Sequence, residues 1–160
     1  MLWHGTAAEN VLSILKDGLQ KSPVHARQTG QAFGEGIYTT DHFERSKPFC
    51  RQSRSGLSYA FLCEVELGRV ANLAEVSLPD PDELPAKYDS KFSPGHIAPD
   101  PAFDLTLKNG AKLALGHTVN KLQASRSVAE QWKSYPSRNN EYILVKAEQV
   151  TPRYLVVFTD

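Results

Sequence analysis

The sequence predicts an α+β fold, built on an antiparallel or mixed β-sheet with few short helices. Segments of strand character outnumber helical ones, at roughly six or seven against two or three, and lack the regular alternation of βαβ units. The pair Asn109-Gly110 joins two alternating runs and signals an antiparallel hairpin. The 160 residues fit one domain with one core. Their 41% hydrophobic and 22% charged content is average for a globular chain, so neither disorder nor a fibrous repeat is indicated.

Leu2-Trp3-His4-Gly5 reads as a short strand entering a tight turn. Thr6, with Glu9 three residues on, gives a capping-box pattern for a helix running to about Lys16. Val11, Leu12, Ile14 and Leu15 form its apolar side, and Gly18 its stop. Residues 20–32 are polar and hold Pro23, Gly30 and three basic side chains, a surface loop. Three glycines between 30 and 36 lead into a strand at Ile37-Tyr38-Thr39-Thr40, after which Asp41 is placed to cap a short helix over 42–50. Leu57 to Leu67 is a strong strand signal. Residues 78–102 hold six of the ten prolines and little periodicity, and read as a long loop, functional or mobile in a compact domain. Phe103 to Leu107 alternates and turns at Asn109-Gly110 into Ala111 to Leu115. Residues 124–138 read as loop with a short helical piece, and two strands, Glu141 to Val145 and Tyr154 to Phe158, close the chain.

Lys plus Arg and Asp plus Glu number 18 each, which argues against a nucleic-acid-binding module. Cys50 and Cys63 are too few for a disulfide framework, and Cys63, inside Tyr59-Ala60-Phe61-Leu62-Cys63, reads as a buried small hydrophobe. Two cysteines and five scattered histidines predict no metal. No apolar stretch approaches the ~20 residues of a membrane span, and no signal-peptide pattern opens the chain, so the default compartment is intracellular.

Four motifs in order resemble the catalytic domain of the poly(ADP-ribose) polymerase family. They are Leu2-Trp3-His4-Gly5-Thr6; Phe33-Gly34-Glu35-Gly36-Ile37-Tyr38 with Asp41, Arg45-Ser46 and Phe49-Cys50; Cys63-Glu64-Val65-Glu66-Leu67-Gly68; and Asn140-Glu141-Tyr142-Ile143-Leu144-Val145 with Gln149-Val150 and Arg153-Tyr154-Leu155. The resemblance runs from residue 2 to residue 158 and is greatest to the DNA-dependent nuclear branch. It implies the ADP-ribosyltransferase fold and transfer of ADP-ribose from NAD⁺ to protein acceptors, the chain itself among them, with release of nicotinamide. It also adds the nucleus as a compartment and a monomer as the state.

The reaction breaks the bond between nicotinamide and its ribose, through a transition state with positive charge at C1′ and the ring oxygen. The resemblance implies a catalytic set of His4, Tyr38 and Glu141. His4 bonds the adenosine ribose hydroxyls, Gly5 offers its backbone to the nicotinamide amide, Tyr38 and Phe49 stack on the nicotinamide ring, and Ser46 donates to its carbonyl. Glu141 bonds the 2′-hydroxyl of the nicotinamide ribose, opposes the developing cation and polarises an acceptor hydroxyl. Thr6 and Asn10 match positions at the adenosine ribose, Arg45 stands beside the glutamate where the family often has lysine, and Arg27 is a phosphate contact. The chain departs from its relatives at Gln20 and Gln31, where arginine and an aromatic are common. The glycines at 30–36 do not form a Rossmann fingerprint, because no strand feeds them. Read without the resemblance, His4 is a strand-end histidine, Tyr38 a core tyrosine and Glu141 an exposed strand-starting glutamate, although glutamate is a poor strand former.

The chain begins almost at the histidine motif, without the regulatory helices of the nuclear branch or the family's first transferase strand and helix. The expectation is a single catalytic domain over 1–160 with no DNA-binding module in this chain, either a fragment of a longer protein or a natural minimal enzyme, the latter active without DNA. Three alternatives stand beside it: a toxin-like NAD⁺ glycohydrolase, a non-catalytic NAD⁺ or ADP-ribose binding module, and a nucleic-acid end-modifying enzyme, which zero net charge does not support.

Overall fold

A computed structural model of the chain describes residues 1–21, 32–121 and 136–159. Strand β1 (Leu2–Thr6) leads through a 3-10 turn at Ala8–Asn10 into helix α1 (Val11–Asp17). Then come β2 (Ile37–Thr39) and α2 (Phe43–Ser46), the latter continued by a 3-10 turn at Lys47–Phe49. The remaining strands are β3 (Ser58–Val65), β4 (Val70–Asn72), β5 (Ser90–Ser93), β6 (Gly95–Pro99), β7 (Leu105–Thr106), β8 (Lys112–Leu113), β9 (Thr118–Asn120), β10 (Ser137–Asn139), β11 (Glu141–Leu144) and β12 (Val150–Phe158).

The fold is α+β, as expected, with mixed sheets and only short helices. Three strands, β1-β3-β12, form one antiparallel sheet. Its middle strand is covered on both sides, which is why Ala60, Phe61, Leu62 and Cys63 are buried as an unbroken run. A second sheet, β2-β11-β5-β4, is antiparallel except for its β4–β5 pair. A third, β10-β6-β9, sits beside it, and the β7–β8 hairpin stands apart. The first two sheets meet at one bridge, where the Trp3 and Thr40 backbones exchange bonds of 2.7 and 3.0 Å. Val11, Ile14, Leu19, Ile37, Phe61, Cys63, Leu144 and Val150 form the core behind that joint.

Several local expectations are corrected. Twelve strands stand among the described residues, more than the count from sequence, because many are only two to four residues long. Thr6 and Glu9 form no capping box. Pairing of Thr6 with Tyr59 keeps it in β1 with its side chain buried, while Glu9 bonds Arg51 at 3.0 Å. Helix α1 buries only Val11 and Ile14; three positions apart, they cover one narrow face, and Leu12 (79% exposed) and Leu15 (58%) point to solvent. Residues 78–102 are not one loop, since β5 and β6 lie inside them. Pro94 separates the two strands and Pro99 ends the second, so the prolines punctuate strands instead of preventing them. Asp41 does not cap α2; His42 holds that position. Residues 137 and 138, expected as loop, belong to β10, which pairs with β6. The last strand begins at Val150, four residues before Tyr154, and its ladder is interrupted between Pro152 and Tyr154, where proline lacks an N–H. Neither Cys50 nor Cys63 forms a disulfide, and both are buried, as read for Cys63. Among the described residues no helix is long and apolar enough to cross a membrane. Arg27, Gln31 and most of the 20–32 and 124–138 segments lie outside the described residues.

Candidate active site

Strand register brings the three principal residues together. Tyr38 of β2 lies opposite Ile143 of β11, and directly opposed residues share a face. Glu141, two residues from Ile143 on β11, therefore presents its side chain on the same face as Tyr38. His4 arrives from the other sheet, and its Nδ1 lies 2.9 Å from the Tyr38 carbonyl oxygen. A carbonyl only accepts, so Nδ1 carries the proton and Nε2 is the acceptor of the neutral ring.

Burial holds the His4 imidazole below its ordinary 6.5, against the smaller upward pull of the Tyr38 carbonyl bond. The unfolded chain therefore takes up this proton first as pH falls. The contribution to stability is complete above about pH 6.5 and is lost progressively as pH drops toward the folded-state value, by at most about 1.36 kcal/mol per unit. In urea titrations from about pH 7 to pH 5, His4→Asn is expected to flatten this decline. An unchanged slope would contradict the assignment.

The Tyr38 ring is fixed at its far end. Its hydroxyl donates to the Gly34 carbonyl at 2.7 Å and accepts from the Phe33 N–H at 3.0 Å. Burial, opposed by the Phe33 bond, pushes the phenol up to about 12. It stays a neutral donor over the working range.

Glu141 is 9% exposed, which sets aside the reading as a surface glutamate. Its Oε1 accepts two bonds from Arg45, from Nε at 3.1 Å and Nη2 at 2.8 Å. Both fall on one oxygen, and a carboxylate has acceptor sites on the other. The same guanidinium lies over the Phe49 ring at 5.0 Å. Arg45 and Phe49 are thus tied to the glutamate as one unit. Ser46 is 2% exposed, and its hydroxyl donates to the Phe43 carbonyl at 2.7 Å. Donating to another group means giving up that bond, about 1 kcal/mol. Phe43 anchors this short helix by edge contacts with Trp3 (4.9 Å) and Phe158 (5.2 Å), one residue from each outer strand of the first sheet.

Gly5 has a structural reason beyond the one expected. A Cβ there would stand 2.0 Å from the Ser46 carbonyl oxygen, so only glycine lets β1 approach the end of α2. Residues two apart in a strand aim their backbone groups at the same edge. Trp3 uses its pair on Thr40, and Gly5 aims the next pair past the end of that bridge. Thr6 is buried and lies 3.4 Å from the Asn10 amide, so the two expected adenosine contacts adjoin each other just beyond His4 on β1.

Sequence reasoning missed three residues that hold this arrangement. Asn140 accepts from the Gly95 N–H at 2.9 Å and donates to Asp41 at 2.7 Å, locking the residue before Glu141 to two other segments. Burial raises the Asp41 carboxyl, against the bonds it takes from Asn140 and Tyr142. Gly95 would place a Cβ 2.1 Å from the Asn139 carbonyl carbon, so its lack of a side chain lets β6 reach β10. A glycine directly after Pro94 was a signal available in the sequence.

The poly(ADP-ribose) polymerase catalytic domain model matches residues 1–160. Poly(ADP-ribose) polymerase 2 of Homo sapiens is 35% identical over 157 residues, covering 98% of this chain and 26% of that protein. Poly(ADP-ribose) polymerase 1 of Caenorhabditis elegans is 32% identical over 156 residues, covering 98% and 16%. The tankyrase poly(ADP-ribose) polymerase of the same organism is 32% identical over 170 residues, covering 98% and 7%. The chain thus spans about a quarter or less of the length of these relatives. With a family match along its whole length and the motif residues converging in space, the chain belongs to the poly(ADP-ribose) polymerase catalytic domain family.

Proposed function

We propose that this domain transfers ADP-ribose from NAD⁺ to protein acceptors. The observation that supports it best is the convergence of His4, Tyr38 and Glu141 from two sheets onto one site, through the His4–Tyr38 bond and the shared face of β2 and β11. The neutral His4 Nε2 accepts from a ribose hydroxyl. The Tyr38 ring, fixed at its hydroxyl, offers a flat surface to nicotinamide, and Phe49 stands on the side of Arg45 and Glu141. The Gly5 backbone and Ser46 complete the amide contacts, with Thr6 and Asn10 on the adenosine side.

In the transfer, the bond between C1′ and the nicotinamide nitrogen breaks and its electron pair leaves with nicotinamide. A lone pair of the acceptor oxygen forms the new bond to C1′, and the acceptor proton passes toward the free oxygen of Glu141 or to water. The Glu141 charge opposes the cation developing at C1′, and Arg45 holds the carboxylate in place.

Incubation of the chain with labelled NAD⁺ and acceptor protein, followed by gel electrophoresis, is expected to give labelled protein. A ladder identifies polymer and a single sharp band identifies single transfer. Nicotinamide release without labelled protein would replace transfer by hydrolysis, with water as acceptor. Tyr38→Ala is expected to weaken nicotinamide, and undiminished binding there would sink the ring's proposed role.

A further inference from the structure

Among the described residues, Lys91 is the one lysine with a fully buried side chain, with 0% of its surface exposed in β5. An ammonium in such a place is costly unless its protons are taken. Among the described residues no carboxylate stands within ion-pair distance of it. Instead it donates to two backbone carbonyls, Phe33 at 3.1 Å and Pro81. Burial lowers its basicity, while Asp82 and Asp80 pull the other way.

The two carbonyls belong to different segments, and both lead to the active site. Lys91 pairs with Ile143, and Ile143 with Tyr38, so the three side chains stand abreast on one face of neighbouring strands. The 33–36 turn crosses this row, and a Cβ on Gly36 would lie 2.3 Å from Ile143. The turn is gripped at both sides. The Tyr38 hydroxyl holds the Phe33 N–H and the Gly34 carbonyl, and the Lys91 ammonium holds the Phe33 carbonyl. It rests on the 80–82 segment. Gly34, at φ +82°, would bring a Cβ to 2.1 Å from the Pro81 oxygen, and the Glu35 N–H donates to Asp82 at 2.6 Å.

We propose that Lys91 is a positioning residue for nicotinamide binding, acting through the Phe33 carbonyl on the Tyr38 ring. The inference rests on the proposed stacking role of Tyr38. An apolar side chain in its place would leave the Phe33 and Pro81 carbonyls without this donor and free the turn that orients the phenol.

The test is a double-mutant cycle on the whole chain, with nicotinamide dissociation constants and NAD⁺ kinetics as readouts. Lys91→Met keeps the stem and removes the ammonium. It is expected to raise the nicotinamide dissociation constant and the NAD⁺ KM about tenfold, with kcat within about twofold. In a Tyr38→Phe background, where the hydroxyl link is already cut, the same substitution should change nicotinamide affinity by less than about threefold. An equal factor in both backgrounds, or an affinity within about twofold of wild type, overturns the proposal. If Lys91→Met does not fold, Asp82→Ala loosens the same support from the surface, and unchanged nicotinamide affinity there overturns it too. Tyr38→Ala separates the two ideas: intact nicotinamide binding in that variant defeats the stacking role itself.

Discussion

Glu141→Gln is expected to cut the formation of labelled protein by about 10²–10³-fold, a loss of roughly 2.7–4 kcal/mol of transition-state stabilisation, while nicotinamide affinity stays near wild type. Glutamine keeps the shape and still accepts from Arg45, so the local packing survives. What it loses is the charge that opposes the cation at C1′. The stability cost is limited, because the Arg45 side chain retains 29% exposure and water can solvate it once the carboxylate is gone. The loss therefore falls on kcat. Rate measurements with saturating NAD⁺, beside a melting curve, separate the two effects. Retention of more than about a tenth of the wild-type rate would remove Glu141 from the mechanism.

Gly95→Ala is expected to have the largest effect on stability. Its added methyl would meet the Asn139 carbonyl carbon at 2.1 Å, the Asn139 Cα at 2.4 Å and the Asn140 nitrogen at 2.5 Å. All three are backbone atoms, so no side-chain rotation relieves the clash. The strands must separate instead, at a cost of about 3 kcal/mol. For a domain of this size that lowers Tm by about 6–12 °C. The displaced residues directly precede Glu141, and Asn140 also binds the Gly95 N–H. Activity measured well below the melting point should therefore fall as well. A melting temperature within about 2 °C of wild type would show that β6 and β10 are not packed as described.

How far the sequence exposed this structure depended on what each residue had to announce. His4, Tyr38 and Glu141 sat in motifs whose order matched a family, and the structure brings them into one place. The apolar and aromatic run within Leu57 to Leu67 declared β3, because a central strand buried on both faces must be apolar. Strands β5 and β6 gave no such sign. Their buried positions include Ser90, Lys91 and Ser93, which are satisfied by partners distant in sequence: Leu67 for Ser90, Phe33 and Pro81 for Lys91, and Ser137 for Ser93 at 2.6 Å. Polar residues paired across a core look like a loop when read in one dimension. Leu12 and Leu15 erred in the other direction, because spacing marks an apolar stripe without saying how much of it the rest of the fold covers. Asp41 had the chemistry of a helix cap, but the Asn140 amide claimed its carboxylate from across the chain.

The bridge between Trp3 and Thr40 gives the site an architectural property of its own. One half of the machinery, His4 and Gly5, belongs to the first sheet; the other half, Tyr38 and Glu141, belongs to the second. The separation between His4 and Glu141 is therefore a dihedral quantity, set by how two sheets lean on a single hinge line. The core residues behind that hinge act as its shims. Ile37, Phe61 and Leu144 pack behind that joint, so a change of side-chain volume there is felt by both sheets without touching a residue of the site itself.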